Sequence, residues 1–524
     1  MKRTNIITGA IIITALCVVF TTTCNRNESV FVNPEYDSSD ADYFSLHKIE
    51  RTDTATIVYA DVYHLPNYWV LISSGIKLKD SKNKTYKLLA CRGFETDKKV
   101  FMPATGSMSF ALYFEPVDKR EKIVDIIDMD ENGATITGIK LYNVKHDEPV
   151  QCLLKGEVIN RPQSSRLVLL TDVEDFRTAK VTYISIHDGK FEYPLYTNAE
   201  ETWQLIFYDE IQQGTWRSVN FIAESGTCYF TLNNENEWEN NSIRGGKYTE
   251  IYRSIPDSLG KTLNVHYKPF NEKRDKLHEE NKYYTPEANR ILEEVRGLPR
   301  DAPNQNALWQ QFYELENEGK LKTMEAIDLE KETSRIYKTM YADKLMDYAR
   351  EHADIVGYSF LVKNIRNTIE QNRDQLDVKE MFAVFHDAYE KKYPDHPYTS
   401  VIRSYIQAAD IKVGNPCPDF VTEDSEGKEV HLSGLIKDKV ALVHLWASWC
   451  GPCRRHGKEM IPIYEMYKDK GFTIVGVARE QKKESMFSAI EKDKYPWQNF
   501  IELNDKNGIW IKFGISNAGG GDFL

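Results

Sequence analysis

Short β-branched and aromatic clusters separated by turn residues run through the first half of the chain. Thr56 to Ala60 and Tyr68 to Ile72 are two such clusters. Between Ser107 and Phe114, Phe110, Leu112 and Phe114 alternate to one side, as in a half-buried strand. Asp130-Glu131-Asn132-Gly133 supplies a turn before Thr135-Ile136-Thr137. The polar stretch from Asn25 to about Asp42 reads as a tether, and residues 25–150 as a β-sandwich-like domain.

A second run of strand signals fills residues 151–255 and predicts a small β domain. There Ile184-Ser185-Ile186 and Phe191-Glu192-Tyr193 flank Asp188-Gly189, a hairpin signal because Gly takes the positive φ that a tight turn requires. Trp203 to Phe207 and Val219 to Ile222 continue the strand pattern. The period then becomes helical over residues 256–410. Thr285-Pro286-Glu287 is a helix start, and Gly297 with Pro299 a stop. Tyr337, Tyr341, Leu345 and Tyr348 share one helix face, a stripe suited to core or domain contact. This helical domain is expected to act as a spacer or docking element.

The last segment, 411–524, alternates differently. Hairpin strands around Asp424-Ser425-Glu426-Gly427 precede Lys439 to Trp446, an apolar run fit for a strand buried on both faces. A helix from Arg454 to Lys470, a buried strand from Phe472 to Ala478, a helix from Glu484 to Lys492 and a strand from Phe500 to Leu503 follow. That order is α/β. The expected fold class is therefore multidomain: two N-terminal all-β domains, an α-helical domain and a C-terminal α/β domain.

Composition narrows the function. With 524 residues, the chain is long enough for several cores. Its net charge of -12 argues against a nucleic-acid partner, because phosphate binding requires clustered positive charge. At the N-terminus, Lys2 and Arg3 precede an apolar run from Gly9 to Phe20 that is too short for a spanning helix. Thr21-Thr22-Thr23 then leads to Cys24. Residues 1–24 are read as an export signal of lipoprotein type, with Cys24 lipidated and the protein anchored to a membrane of the cell envelope.

Eight cysteines remain to be sorted. Cys91, Cys152, Cys228 and Cys417 are scattered, without the dense spacing of a disulfide scaffold, and are expected as buried free thiols. Cys450 and Cys453 differ, because they meet the point where a strand feeds into a helix. Unpaired backbone N–H groups there stabilise a thiolate at Cys450. Cys453, one turn on, is placed to resolve a mixed disulfide. Gly451-Pro452 permits a tight turn and pre-sets φ at the helix start. Trp449 is expected to shield the site while leaving the Cys450 sulfur accessible.

Leu445-Trp446-Ala447-Ser448-Trp449-Cys450-Gly451-Pro452-Cys453 resembles the thioredoxin signature, and Val413 to Phe420 resembles the lead-in of the TlpA/ResA-like periplasmic branch. The resemblance covers roughly the last fifth of the chain. It implies a thioredoxin fold and reduction or exchange of disulfides in exported proteins, fed by a membrane thiol donor, with no cofactor. Residues 151–255 resemble, through Asp188-Gly189-Lys190-Phe191, the small β domain that precedes such domains in Bacteroidetes lipoproteins.

The chain departs from the family at several places. His444 stands where thioredoxins carry a buried acidic residue, and is either a titrating group or a packed strand residue. Lys458 replaces the helix-kinking Pro, and Gly520 occupies the expected place of the cis-Pro. Leu524 falls where the first of two further strands begins, so the domain is expected to be truncated. Glu480, just past its strand, is a candidate proton acceptor, with a solvated loop carboxylate as the favoured reading. A zinc site through His444 and His456 and a peroxidase with Cys417 as nucleophile are the enzyme-class rivals. A binding lipoprotein carrying an inactive thioredoxin remnant is the non-enzyme alternative.

Overall fold

The computed structural model describes residues 29–41, 43–128, 133–179, 181–299, 302, 304–371, 378–424, 427–515 and 521–523. Cys24, the whole segment 1–24 and Gly520 lie outside them. No helix among the described residues is long and apolar enough to cross a membrane.

Two units are distinguished, Met1–Lys145 and His146–Leu524. Among the described residues, the first holds nine antiparallel strands in one continuous hydrogen-bonded order, with a separate pair formed by Trp69–Val70 and Val100–Phe101. The strand Thr85–Arg92 joins its two halves: Thr85 to Lys87 pair with Lys77–Asp80, and Leu88 to Arg92 pair with Ser107–Phe114. A bulge between Leu88 and Ala90 marks the change of partner, the device by which strands turn sheet corners. Val58 and Leu112 from one half share a core with Leu78, Ile126 and Ile136 from the other.

The second unit begins with two four-stranded sheets. One holds Val150–Val158 between Lys190–Thr197 and Gly226–Leu232, with Ser242–Arg244 at the edge. The other holds Arg166–Thr171 and Glu201–Phe207 between Thr182–Ser185 and Ser218–Ala223. Leu154, Phe191 and Phe230 of the first sheet pack with Leu169, Leu205 and Phe221 of the second. At the Asp-Gly turn, Asp188 and Gly189 both take positive φ, 49° and 68°, and His187 bridges Lys190. The strands it connects nevertheless belong to different sheets, so the turn links two layers instead of closing a regular hairpin.

The first long helix starts at Lys247 and runs to Glu279, ahead of the boundary expected at residue 256. Its first turn is tied to the β domain by the Thr249 hydroxyl, which donates to the Ile222 carbonyl and accepts from the Ile222 N–H. The next helix, Pro286–Arg296, starts at a Thr285 cap and stops at Gly297. Leu345 of the aromatic stripe is buried, and Tyr341 and Tyr348 pack on the same helical core.

The C-terminal segment contains β1 (Val421–Glu423), β2 (Glu429–His431), α1 (Leu432–Leu435), β3 (Val440–Trp446), α2 (Gly451–Tyr467), β4 (Phe472–Glu480), α3 (Lys483–Asp493), β5 (Gln498–Leu503), α4 (Ile509–Lys512) and β6 (Gly521–Phe523). The sheet order is β2-β1-β5-β4-β3-β6. β3, β4 and β5 are parallel, while β6 lies antiparallel to β3, with Phe523 opposite Val443. Strand alternation sends Val443 and Leu445 to one apolar layer with Phe500, Ile509 and Trp510. Trp446 and Ala478 go to the other, with Met460 of α2 and Met486 of α3. A sheet covered on both faces explains the near-continuous apolar runs of β3 and β4.

Candidate redox site

β3 ends at Trp446 and α2 begins at Gly451, so Ala447, Ser448, Trp449 and Cys450 form the whole connection. Cys450 is the N-cap of α2, with φ -85° and ψ 92°, and its sulfur accepts the Cys453 N–H at 3.3 Å. Pro452 sits in the first turn, where its missing N–H costs no helical bond. Cys450 and Cys453 are joined as a disulfide, with Cα atoms 5.3 Å apart. Trp449 is 38% exposed, while Cys450 and Cys453 keep only 9% and 8% of their surface. Both cysteines are thus largely covered in the disulfide form.

The connection is held from three directions. The Cys450 N–H donates to the Ala447 carbonyl at 3.1 Å. Both the Ser448 N–H and its hydroxyl donate to the Glu480 carboxylate. Arg454, one turn into α2, donates from Nη1 to the Ser448 carbonyl at 3.2 Å. Arg454 is in turn gripped by Asp493 of α3 through Nε at 2.6 Å and Nη2 at 3.0 Å.

Glu480 overturns the expectation of a solvated loop carboxylate. β4 extends two residues beyond Ala478, and Glu480 is 2% exposed at its end. Burial raises its carboxyl above the usual range, against the opposing pull of the Ser448 hydrogen bonds and the Arg454 charge. Ser448 had given no sequence signal, since a Ser before a redox motif is chemically unremarkable until its acceptor is known.

His444 is a buried strand residue, 1% exposed, opposite Gly476 in β4 and Asp522 in β6. Its ring centroid lies 6.4 Å from Trp446 and 6.4 Å from the exposed His456. Lys458, which stands where a helix-kinking Pro was expected, reaches Asp493 at 2.9 Å. Burial opposes ionisation of Asp493, but Arg454 and Lys458 outweigh it and hold the carboxyl below its ordinary value. Pro462 lies inside α2.

The scattered cysteines divide. Cys152 and Cys228 are buried, with sulfurs 3.9 Å apart, whereas Cys91 is half-buried and Cys417 exposed. The expectation of burial thus fails for the last two. Cys417 lies in an irregular stretch before β1; although the residue is exposed, desolvation of its sulfur by neighbouring atoms, with the nearby Asp419 charge, raises its thiol above the usual value. A peroxide-reducing thiol requires the reverse, a lowered value at a helix start.

The AhpC/TSA family matches residues 413–519. The C-terminal segment is a thioredoxin-like domain. It is similar to the thiol-disulfide oxidoreductase ResA of Bacillus thuringiensis, at 34% identity over 71 residues, covering 14% of this chain and 40% of that protein. The ResA of Geobacillus kaustophilus is 32% identical over 109 residues, 21% of this chain and 62% of the relative. The chain thus spans about two fifths to three fifths of the length of these curated relatives. Among solved structures, the thioredoxin domain of a thiol-disulfide oxidoreductase from Bacteroides vulgatus is 31% identical, covering 20% of this chain and 75% of that one, with a TM-score of 0.19. The thioredoxin signature read from Leu445 to Cys453 and the TlpA/ResA-like lead-in read from Val413 to Phe420 hold for this thioredoxin-like domain.

Proposed function

We propose that the protein is a thiol-disulfide oxidoreductase that reduces or exchanges disulfides of exported proteins through Cys450 and Cys453. The observation that carries the reading is the placement of Cys450 as N-cap of α2, with the Cys453 N–H aimed at its sulfur. In the reduced protein the Cys450 thiolate attacks one sulfur of a substrate disulfide, forms a mixed disulfide and expels the other sulfur as thiolate. Cys453 then loses its proton and attacks the Cys450 sulfur. The Cys450–Cys453 disulfide closes, two electrons have passed to the substrate, and its second sulfur leaves and is protonated. A thiol donor, at the membrane in this reading, restores the dithiol.

The raised thiol and irregular setting of Cys417 disfavour the peroxidase reading. The place of action is proposed as the cell envelope, periplasmic and lipid-anchored through Cys24. Insulin reduction driven by dithiothreitol tests the activity: the full chain is expected to accelerate it and Cys450→Ser to return it to the uncatalysed rate. Equal rates for the two proteins favour a binding lipoprotein with an inactive domain.

A further inference from the structure

The small β domain reaches the redox site through the loop after its strand Arg166–Thr171. Arg177 in this loop is gripped by Asp175, from Nε at 2.8 Å and Nη2 at 2.6 Å. Its guanidinium carbon lies 5.1 Å from the centre of the Trp449 ring and 4.7 Å from that of Trp216. Trp216 stands edge-on to Phe176 at 4.8 Å. The guanidinium thus touches an indole from each domain, and one of the two adjoins Cys450.

The loop is fastened to the thioredoxin-like domain and does not merely lie near it. Gln481, next after Glu480, donates its amide to the carbonyls of Phe176 at 3.1 Å and Ala179 at 3.0 Å. Thr178 donates its hydroxyl to Asp505 at 2.5 Å, and Asp505 also takes two hydrogen bonds from the buried Arg479. Burial works against ionisation of Asp175, but the hydrogen bonds from Arg177 and the nearby Arg479 prevail and hold it below its usual value. Asp175 and Arg177 therefore form a matched ion pair, and the same segment sets the Phe176 ring against Trp216.

We propose that this loop is one wall of the redox site, in which Arg177 is a positioning residue that holds the Trp449 ring and thereby limits how bulky a partner reaches Cys450. The proposal rests on Cys450 being the reactive sulfur, and it makes access depend on a domain outside the thioredoxin-like fold. A cation over an exposed indole is a modest restraint, so its loss loosens the ring without unfolding the domain. Discrimination falls on large partners, because a small reagent passes the ring in either position.

The test uses the reduced full chain and measures modification of the Cys450 peptide by mass spectrometry, with iodoacetamide as the small probe and fluorescein maleimide as the bulky one. Arg177→Ala is expected to raise the maleimide rate about threefold, a factor in keeping with an exposed cation–π contact, and to change the iodoacetamide rate by less than about twofold. In a Trp449→Ala background the Arg177 substitution is expected to add nothing, as non-additivity between contacting residues requires. Arg177→Lys, which keeps a cation over the ring, is expected to fall between wild type and Arg177→Ala and stands in if the alanine variant unfolds. An equal change with both reagents, an effect that persists without Trp449, or no change at all overturns the proposal. Alkylation requires only a reduced thiol, so this outcome is read separately from insulin reduction.

Discussion

Ser448 donates both its backbone N–H and its hydroxyl to the carboxylate of Glu480, which fixes the residue two before Cys450 to the end of the neighbouring strand. Glu480→Ala removes the acceptor for both donors at a buried position, a loss of about 1–3 kcal/mol per unsatisfied group. It is expected to lower turnover in the insulin assay about tenfold or more, because small misplacements of a nucleophile carry large rate losses. Glu480→Gln keeps one acceptor oxygen and is expected to retain most of the activity. Equal damage by the two substitutions would contradict a positioning role through Ser448.

Asp493 anchors the same connection from the other side, through Arg454 and Lys458. Asp493→Ala strands Arg454, whose side chain is 23% exposed, so the loss is expected near 2 kcal/mol, below the 3–5 kcal/mol of a fully buried pair. Urea unfolding of the full chain measures it. The carboxyl is held low, so its contribution is present above the ordinary Asp range and is lost as pH falls through the lowered folded value. An Asp493→Ala chain as stable as wild type at neutral pH would show that the ion pair contributes nothing.

Glu201 gives a pH dependence of opposite sign. It is 5% exposed, and burial, with the charges of Asp172 and Glu174 adding to it, raises its carboxyl from 4.5 to about 8. Between those values the folded chain holds a proton that the unfolded chain has released. Stability attributable to this group therefore falls as pH rises from about 4.5 to about 8. Glu201→Gln is expected to flatten that slope and to be relatively most stabilising near pH 8. A slope unchanged in the variant, followed by thermal unfolding from pH 5 to 8, would place the dependence elsewhere.

Cys453→Ser removes the resolving sulfur and leaves the attacking one. Mixed disulfides between Cys450 and client proteins are then expected to accumulate and to appear on non-reducing gels as reducible adducts. Cys450→Ser is expected to trap none. Adducts of similar yield in both variants would reverse or erase the assigned roles.

The elements of the C-terminal segment were legible because two-sided burial writes unbroken apolar runs into β3 and β4, and because Trp449-Cys450-Gly451-Pro452-Cys453 places a helix start beside a reactive pair. Glu480 was misplaced by its surroundings: Arg479 and Gln481 look like loop residues, yet Arg479 is buried against Asp505 and Gln481 fastens the β domain loop. The Asp188-Gly189 turn was readable as a turn, since it depends on local φ alone, but which sheets it joins depends on distant strands. Arg177 and Trp216 were invisible for the same reason. Their role comes from a docking of two domains, and no period or spacing in either segment records it.

The most direct test of the central claim is the pH dependence of iodoacetamide labelling at Cys450 in the reduced full chain. The placement at the start of α2 predicts a titration clearly below the ordinary Cys value of about 8.5, and labelling at pH 7 faster than that of the exposed Cys417. A Cys450 that titrates at or above that value and labels no faster than Cys417 would contradict the account.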